Sequence, residues 1–204
     1  YGAIAFYKLC QKHGMKPLIG LTASIKGDHE ESTPSYPLIL LAENNQGYQN
    51  LLKISSVLQT KSPEGLPEKW LKRYRDGLIA ITPGVSGLVE QLLLHREEEQ
   101  AILTIKNYQS IFGRNSFYIG IQNHQSIEGE FLLDSLVRIS NLTEAPLVVT
   151  NDVKYIEKED AFAHRCVLAI KNGTKLSEDN HNSEQKSEYF LKPAKDMVSL
   201  FENY

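Results

Sequence analysis

Five apolar runs punctuate the chain, and between them lie segments whose apolar residues recur at helical spacing. The runs are Pro17–Ala23, Pro37–Ala42, Gly77–Thr82, Ser116–Ile121 and Ala145–Thr150. A continuous apolar run of this length suits a strand buried on both faces rather than one with a wet side. Strands separated by helices imply parallel pairing, because a parallel connection needs a crossover long enough to hold a helix. Two architectures satisfy this layout: an α/β barrel and an open doubly wound sheet. No Gly-x-Gly-x-x-Gly follows any of the runs and no P-loop is present, so a dinucleotide fold lacks its fingerprint.

The helical segments can be placed from their periodicity. Ala3, Phe6, Tyr7 and Cys10 share a face, and Gly14 is placed to stop that helix. Asn44, Asn45, Gln46 and Gly47 supply turn and cap residues ahead of a face formed by Tyr48, Leu51, Leu52, Ser55 and Leu58. Ser86 can cap a helix carrying Leu88, Val89, Leu92 and Leu93, and a later helix turns Leu132, Leu133, Leu136 and Ile139 inward. Residues 159–170 read as a helix closed by Gly173, and a last amphipathic helix runs from Ala194 to Phe201. Residues 26–35 and 177–187 are too polar to bury; the second is expected to be a mobile loop. Arg96-Glu97-Glu98-Glu99 is expected to be a solvated face or a turn between helices, since adjacent carboxylates on a helix point in different directions.

Composition narrows the function classes. The chain of 204 residues suffices for one domain, spanning residues 1–204, and its formal net charge is -3. A main DNA-gripping surface shows a basic excess or a basic stripe, and neither is evident here. Cys10 and Cys166 have no zinc spacing and read as small buried apolar residues. No apolar run is long enough to span a membrane. The opening Tyr1-Gly2-Ala3-Ile4 has neither an initiator Met nor the basic head of a signal peptide, so a piece of a longer protein is expected.

In both candidate architectures functional groups gather where strands end. The positions that matter are therefore Thr22, Gly84, His124, Asp152 and Lys154. The other histidines, His13, His29, His95, His164 and His181, fall in helices or polar loops and take no site role. Trp70 is expected to be a packing residue rather than a base-stacking platform.

Several segments together resemble a known family. Thr150-Asn151-Asp152-Val153-Lys154-Tyr155 followed by Glu159-Asp160-Ala161-Phe162-Ala163-His164 resembles the strand-end motif of the PHP (polymerase and histidinol phosphatase) domain of bacterial DNA polymerase III alpha subunits. So do residues 40–51, from Leu40 through Gly47-Tyr48-Gln49-Asn50-Leu51; the runs Gly77–Ile81 and Ile121–His124; and Tyr189-Phe190-Leu191-Lys192 with Met197 and Leu200-Phe201. The low-GC Gram-positive version is the most similar. The resemblance implies a distorted (β/α) barrel of about seven strands, here incomplete because the first two strands, with their His-x-His and Asp-His ligands, are absent. It also implies a cytoplasmic protein whose partners are the remainder of a polymerase chain and other replisome proteins, with DNA held by the parent rather than by this segment.

Active members of that family hold divalent metals, Mn or Zn, through His, Asp, Glu and Cys at strand ends, and such a cluster activates water against a phosphodiester. Against that pattern Thr22 replaces a Glu, Gly84 replaces a common Cys, and Lys154 replaces the His of an Asp-x-His pair. An ammonium has no lone pair and repels a cation; it is expected to pair with Asp152 or to replace the metal's charge. His124 and Asp152 remain as vestigial ligand candidates. The expectation is a degenerate scaffold with no cofactor and no catalytic residue of its own. The alternative is a metal-dependent 3′–5′ exonuclease or pyrophosphatase. Exposed sheet edge and core are expected to leave a wide groove or to drive pairing with a second copy.

Overall fold

The structure is a computed structural model and describes residues 2–27, 34–123, 127–176 and 188–202. His29, His124, His181 and the polar stretch 177–187 lie outside the described residues. In chain order the elements are α1 (Ala3–Lys12), β1 (Gly20–Lys26), β2 (Tyr36–Ala42), α2 (Asn45–Thr60), β3 (Leu66–Pro67), α3 (Glu68–Arg73), β4 (Leu78–Ile81), α4 (Leu88–Leu94), α5 (Glu98–Phe112), β5 (Phe117–Ile121), α6 (Ile127–Thr143), β6 (Leu147–Val149), α7 (Ala161–Asn172) and α8 (Ala194–Leu200).

The strands form one mixed sheet in the order β3-β1-β2-β4-β5-β6. β1 and β3, β4 and β5, and β5 and β6 pair in parallel. β2 runs against both its neighbours, with Thr22 opposite Ile39 and Ile39 opposite Ile81. The expectation of parallel pairing therefore fails at β2. The polar segment joining β1 to β2 holds too few residues for a crossover, so β2 must return alongside β1. Among the described residues no pairing joins β3 to β6, so the sheet has two edges. Pro67 lies in edge strand β3, where a missing N–H costs no ladder bond.

One face of the sheet carries the core. Leu38, Leu40, Ala80, Phe117 and Ile119 are buried against Leu51, Ile54 and Val57 of α2, Ala101, Ile105 and Tyr108 of α5, and Leu132, Leu133, Leu136 and Ile139 of α6. Each large side chain buried this way contributes about 1.5–3 kcal/mol. The inward face expected of α6 is met residue for residue. That of α2 is rotated: Leu51 is buried and Leu58 packs at its margin, but Tyr48 and Leu52 are exposed and Gly47, Asn50, Ile54 and Val57 take the inner face. Asn44 caps α2 as expected, accepting a hydrogen bond from Gly47 N at 3.0 Å. Gly47 cannot be larger, because a side-chain carbon there would lie 1.8 Å from Gly77 O.

On the opposite face Thr22 and Ser24 are exposed, and Ile39, Leu41, Ile79, Tyr118 and Val148 are half-buried. Cys10 is buried as expected; Cys166 is only half-buried. Trp70 packs on the margin of the core and stacks on Tyr74 with ring centroids 5.8 Å apart. The charged stretch after α4 is a turn: Arg96 has φ 65°, and Glu98 opens α5 with a two-armed ion pair to Arg138 of α6.

Candidate functional site

The parallel strands β1, β4, β5 and β6 end on one edge of the sheet, and the residues that follow them form a rim. After β4 come Thr82, Pro83 and Gly84; after β5 come Gln122 and Asn123; after β6 come Thr150, Asn151 and Asp152. Gln122 ties three strand ends together, its Nε2 donating to Pro83 O and to Thr150 Oγ1, each at 3.1 Å. Below it, Thr82 Oγ1 accepts from Gly120 N at 3.0 Å, locking β4 to β5.

Gly84 has φ 88°, a conformation that L side chains rarely adopt, and a side-chain carbon on it would fall 2.3 Å from Gln122 Oε1. The Gln122 amide thus fills the volume a residue-84 side chain would need, and a thiol at that position would have to displace it.

Asp152 and Lys154 are together, as expected: Lys154 Nζ donates to Asp152 Oδ1 at 2.7 Å. Their side chains are 46% and 43% exposed, so solvent screens the pair and it contributes at most about 1 kcal/mol to stability. Thr22 is not with them. It lies in the middle of β1, on the open face, and β2, β4 and β5 separate it from β6. Four strand spacings amount to about 19 Å along the sheet.

Behind the pair, the chain after β6 is strapped to residues 188–192. Lys154 N donates to Tyr189 O at 2.8 Å, Leu191 N to Tyr155 O at 3.0 Å, and Asn151 Nδ2 to Phe190 O at 2.8 Å. Lys192 is nearly buried; its Nζ lies 3.3 Å from Glu188 Oε2, 3.4 Å from Asn151 Oδ1, and 4.5 Å from the centre of the Phe190 ring. Burial works to raise the Glu188 pKa, but hydrogen bonds from Lys158 and Lys192 prevail and hold it below the usual carboxylate value.

A second buried carboxylate sits under the β4 end of the rim. Glu90 is fully buried, and among the described residues neither of its oxygens has a hydrogen-bond partner of normal geometry. Desolvation dominates and pushes its pKa up to about 7, although the nearby Thr82 hydroxyl and the backbone of Gly84 pull it down. The expected Ser86 cap is not formed. α4 begins one residue later, with Gly87 as its cap, and Glu90 folds back beneath Gly87.

Gln122, Glu90, Asn151 and Lys192 were not anticipated as site residues. In sequence Gln122 is two residues before the anticipated His124 and Asn151 one before the anticipated Asp152, so strand-end position was a usable signal for them. Glu90 lies on a helix that is apolar apart from it and Gln91, and nothing in its spacing separates it from a solvated Glu.

The rim does not fit a divalent cluster among the described residues. Lys154 offers no lone pair and engages Asp152, Gly84 offers no donor, and Thr22 lies elsewhere on the sheet; no three His, Cys, Asp or Glu side chains converge there.

Comparison with known proteins shows where this architecture belongs. The model of the PHP domain matches residues 1–124. The chain belongs to the PHP domain family. It is similar to the DNA polymerase III subunit alpha of Bacillus subtilis, with 47% identity over 204 residues, 100% of this chain and 18% of that protein. The same subunit from Borreliella burgdorferi is 34% identical over 98% of this chain, and that from Treponema pallidum 30% identical over 100%. This PHP chain therefore spans about a fifth of the length of these relatives, 18% in each case. Their similarity runs past residue 124, so it also takes in the strap around Glu188 and the rim residues after β6.

Proposed function

We propose that this PHP chain is part of the alpha subunit of a bacterial replicative DNA polymerase III, a DNA-directed DNA polymerase, and that within it the domain is a brace whose own phosphoesterase chemistry is silent. Similarity to three alpha subunits along nearly the whole chain supports the first half. One observation carries the second: the ammonium of Lys154 lies on Asp152 where a metal would require a neutral nitrogen donor. The Gln122 side chain packed over Gly84 adds to it, because the rim is closed by hydrogen bonds that a metal site would have to break. The partners in this reading are the rest of the polymerase chain and other replisome proteins, with DNA held mainly by the polymerase itself.

The test is a nuclease assay on the full-length protein with a mismatched primer and manganese, comparing the wild type with Asp152→Ala. The brace account expects no manganese-dependent 3′–5′ degradation from either and the same rate of primer extension from both. Degradation by the wild type that disappears in Asp152→Ala would overturn it in favour of a proofreading exonuclease.

A further inference from the structure

On the β3 side of the sheet, α2, α3 and the residues that close them bring three exposed cations onto two aromatic rings. Trp70 and Tyr74 stack nearly parallel, with 16° between their planes, and both are held against the core. Lys61 Nζ lies 5.4 Å from the Trp70 ring centre, and Lys53 Nζ lies 5.6 Å from that of Tyr74. The Arg73 guanidinium reaches both rings, at 5.7 and 5.9 Å. The neighbouring Glu68 is engaged by Lys72 at 2.6 Å, and Asp76 lies 3.8 Å from Arg75. Among the described residues none of Lys53, Lys61 and Arg73 forms an ion pair with a carboxylate; Lys53 donates only to the neutral Asn50 Oδ1, at 3.3 Å. Each ring attracts the cations through its face and restricts where they sit, which lowers the entropy lost when an anion arrives.

We propose that this patch is an auxiliary contact for single-stranded DNA, with Lys53, Lys61 and Arg73 on successive phosphates and Trp70 and Tyr74 as their pedestal. Charge complementarity selects a polyanion: three unpaired positive groups cluster here although the chain is acidic overall, with a net charge of -3. The shortness of the patch selects one strand, because a duplex presents phosphates of two strands across a groove and needs a longer basic stripe. Interleaved rings and cations are also the combination that single-strand sites use. The cations come from residues 53, 61 and 73, spread over two successive helices, and so make no basic run in the sequence. The patch stands whether or not the rim binds metal.

The experiment is ultraviolet cross-linking of the full-length protein to an oligothymidylate, with the adducts mapped by mass spectrometry. The expected result is an adduct within residues 53–75. Its yield should fall with salt at a log–log slope of about -2, from about 0.7 per phosphate over three contacts. Lys61→Glu with Arg73→Glu should cut that adduct about tenfold at unchanged thermal melting, whereas Lys8→Glu on α1 should not. An adduct map without residues 53–75, a yield indifferent to the double variant, or equal competition by a duplex of the same length would each overturn the proposal.

Discussion

At the scale of single residues, two charges bear most on the account. Glu90 is buried and, among the described residues, lacks a hydrogen-bond partner of normal geometry, which costs stability whenever it is ionised. Its folded pKa of about 7 lies above the ordinary value of 4.5, so the folded state holds a proton that the unfolded chain has already released between those values. Stability from this group is full below pH 4.5 and is lost as pH rises to about 7. Tyr108 faces Glu90 from α5, with Glu68 also acting on it; burial first, and those two carboxylates second, raise its pKa, so it stays neutral throughout that window. Chemical denaturation of Glu90→Gln should therefore show a flatter pH profile than the wild type and a gain of about 1–3 kcal/mol at pH 8, from 1.36 kcal/mol per pKa unit. An unchanged slope would mean that the carboxyl ionises freely in place. Lys154 is the opposite case: its exposed pair with Asp152 was one of the two roles expected of it from the family resemblance, and Lys154→Met should change stability by less than about 1 kcal/mol. Glu90 was not anticipated, because which polar residue of a mostly apolar helix is buried depends on which way the whole helix is turned.

At the scale of elements, the rim is held by two devices that can be broken separately. The Gly84 turn needs a positive φ and space beside Gln122. Gly84→Ala should lower stability by about 1–3 kcal/mol through backbone strain and the clash, and adding Gln122→Ala should recover only the part due to the clash. The strap after β6 depends on Lys192, whose side chain is 3% exposed, against Glu188 at 10%. Removing one partner of such a pair leaves the other charge buried. Lys192→Met should cost about 2–4 kcal/mol and speed amide exchange at Lys154 and Leu191, the two N–H groups that cross the strap. Unchanged exchange there would show that Lys192 does not hold the strap. How far these elements could be read from sequence varied with what sets them. Each of the five apolar runs overlaps a strand, although β1 starts three residues into its run and continues to Lys26, and Asn44 and the face of α6 followed from local pattern. The antiparallel course of β2 did not, since it is decided by the length of a connection rather than by the strand. The outward turn of Tyr48 and Leu52 did not either, because α2 carries apolar residues on more than one side and only packing chooses among them.

At the scale of the whole molecule, the sheet has two edges among the described residues, and several apolar side chains face outward. Phe162, Val167 and Ile170 of α7 are 64%, 62% and 82% exposed, and α7 buries none of its residues; Ile4 and Phe6 of α1 are exposed as well. A solvent-facing helix of this composition marks a surface that meets protein. The 204-residue chain by itself should therefore associate with concentration in light scattering, and Phe162→Glu with Ile170→Glu should shift it toward monomer; a monomer at every concentration would show that these faces have no partner of their own kind. No helix among the described residues is long and apolar enough to cross a membrane. The brace account joins the scales: Lys154 on Asp152, Gln122 over Gly84 and the strap on Lys192 leave the strand ends closed by protein groups. Diffraction from crystals of the full-length protein soaked in manganese, collected at the manganese edge, tests this most directly. The account predicts no anomalous peak at the rim and Lys154 still bonded to Asp152; two or three peaks liganded by Asp152 and His124 would contradict it.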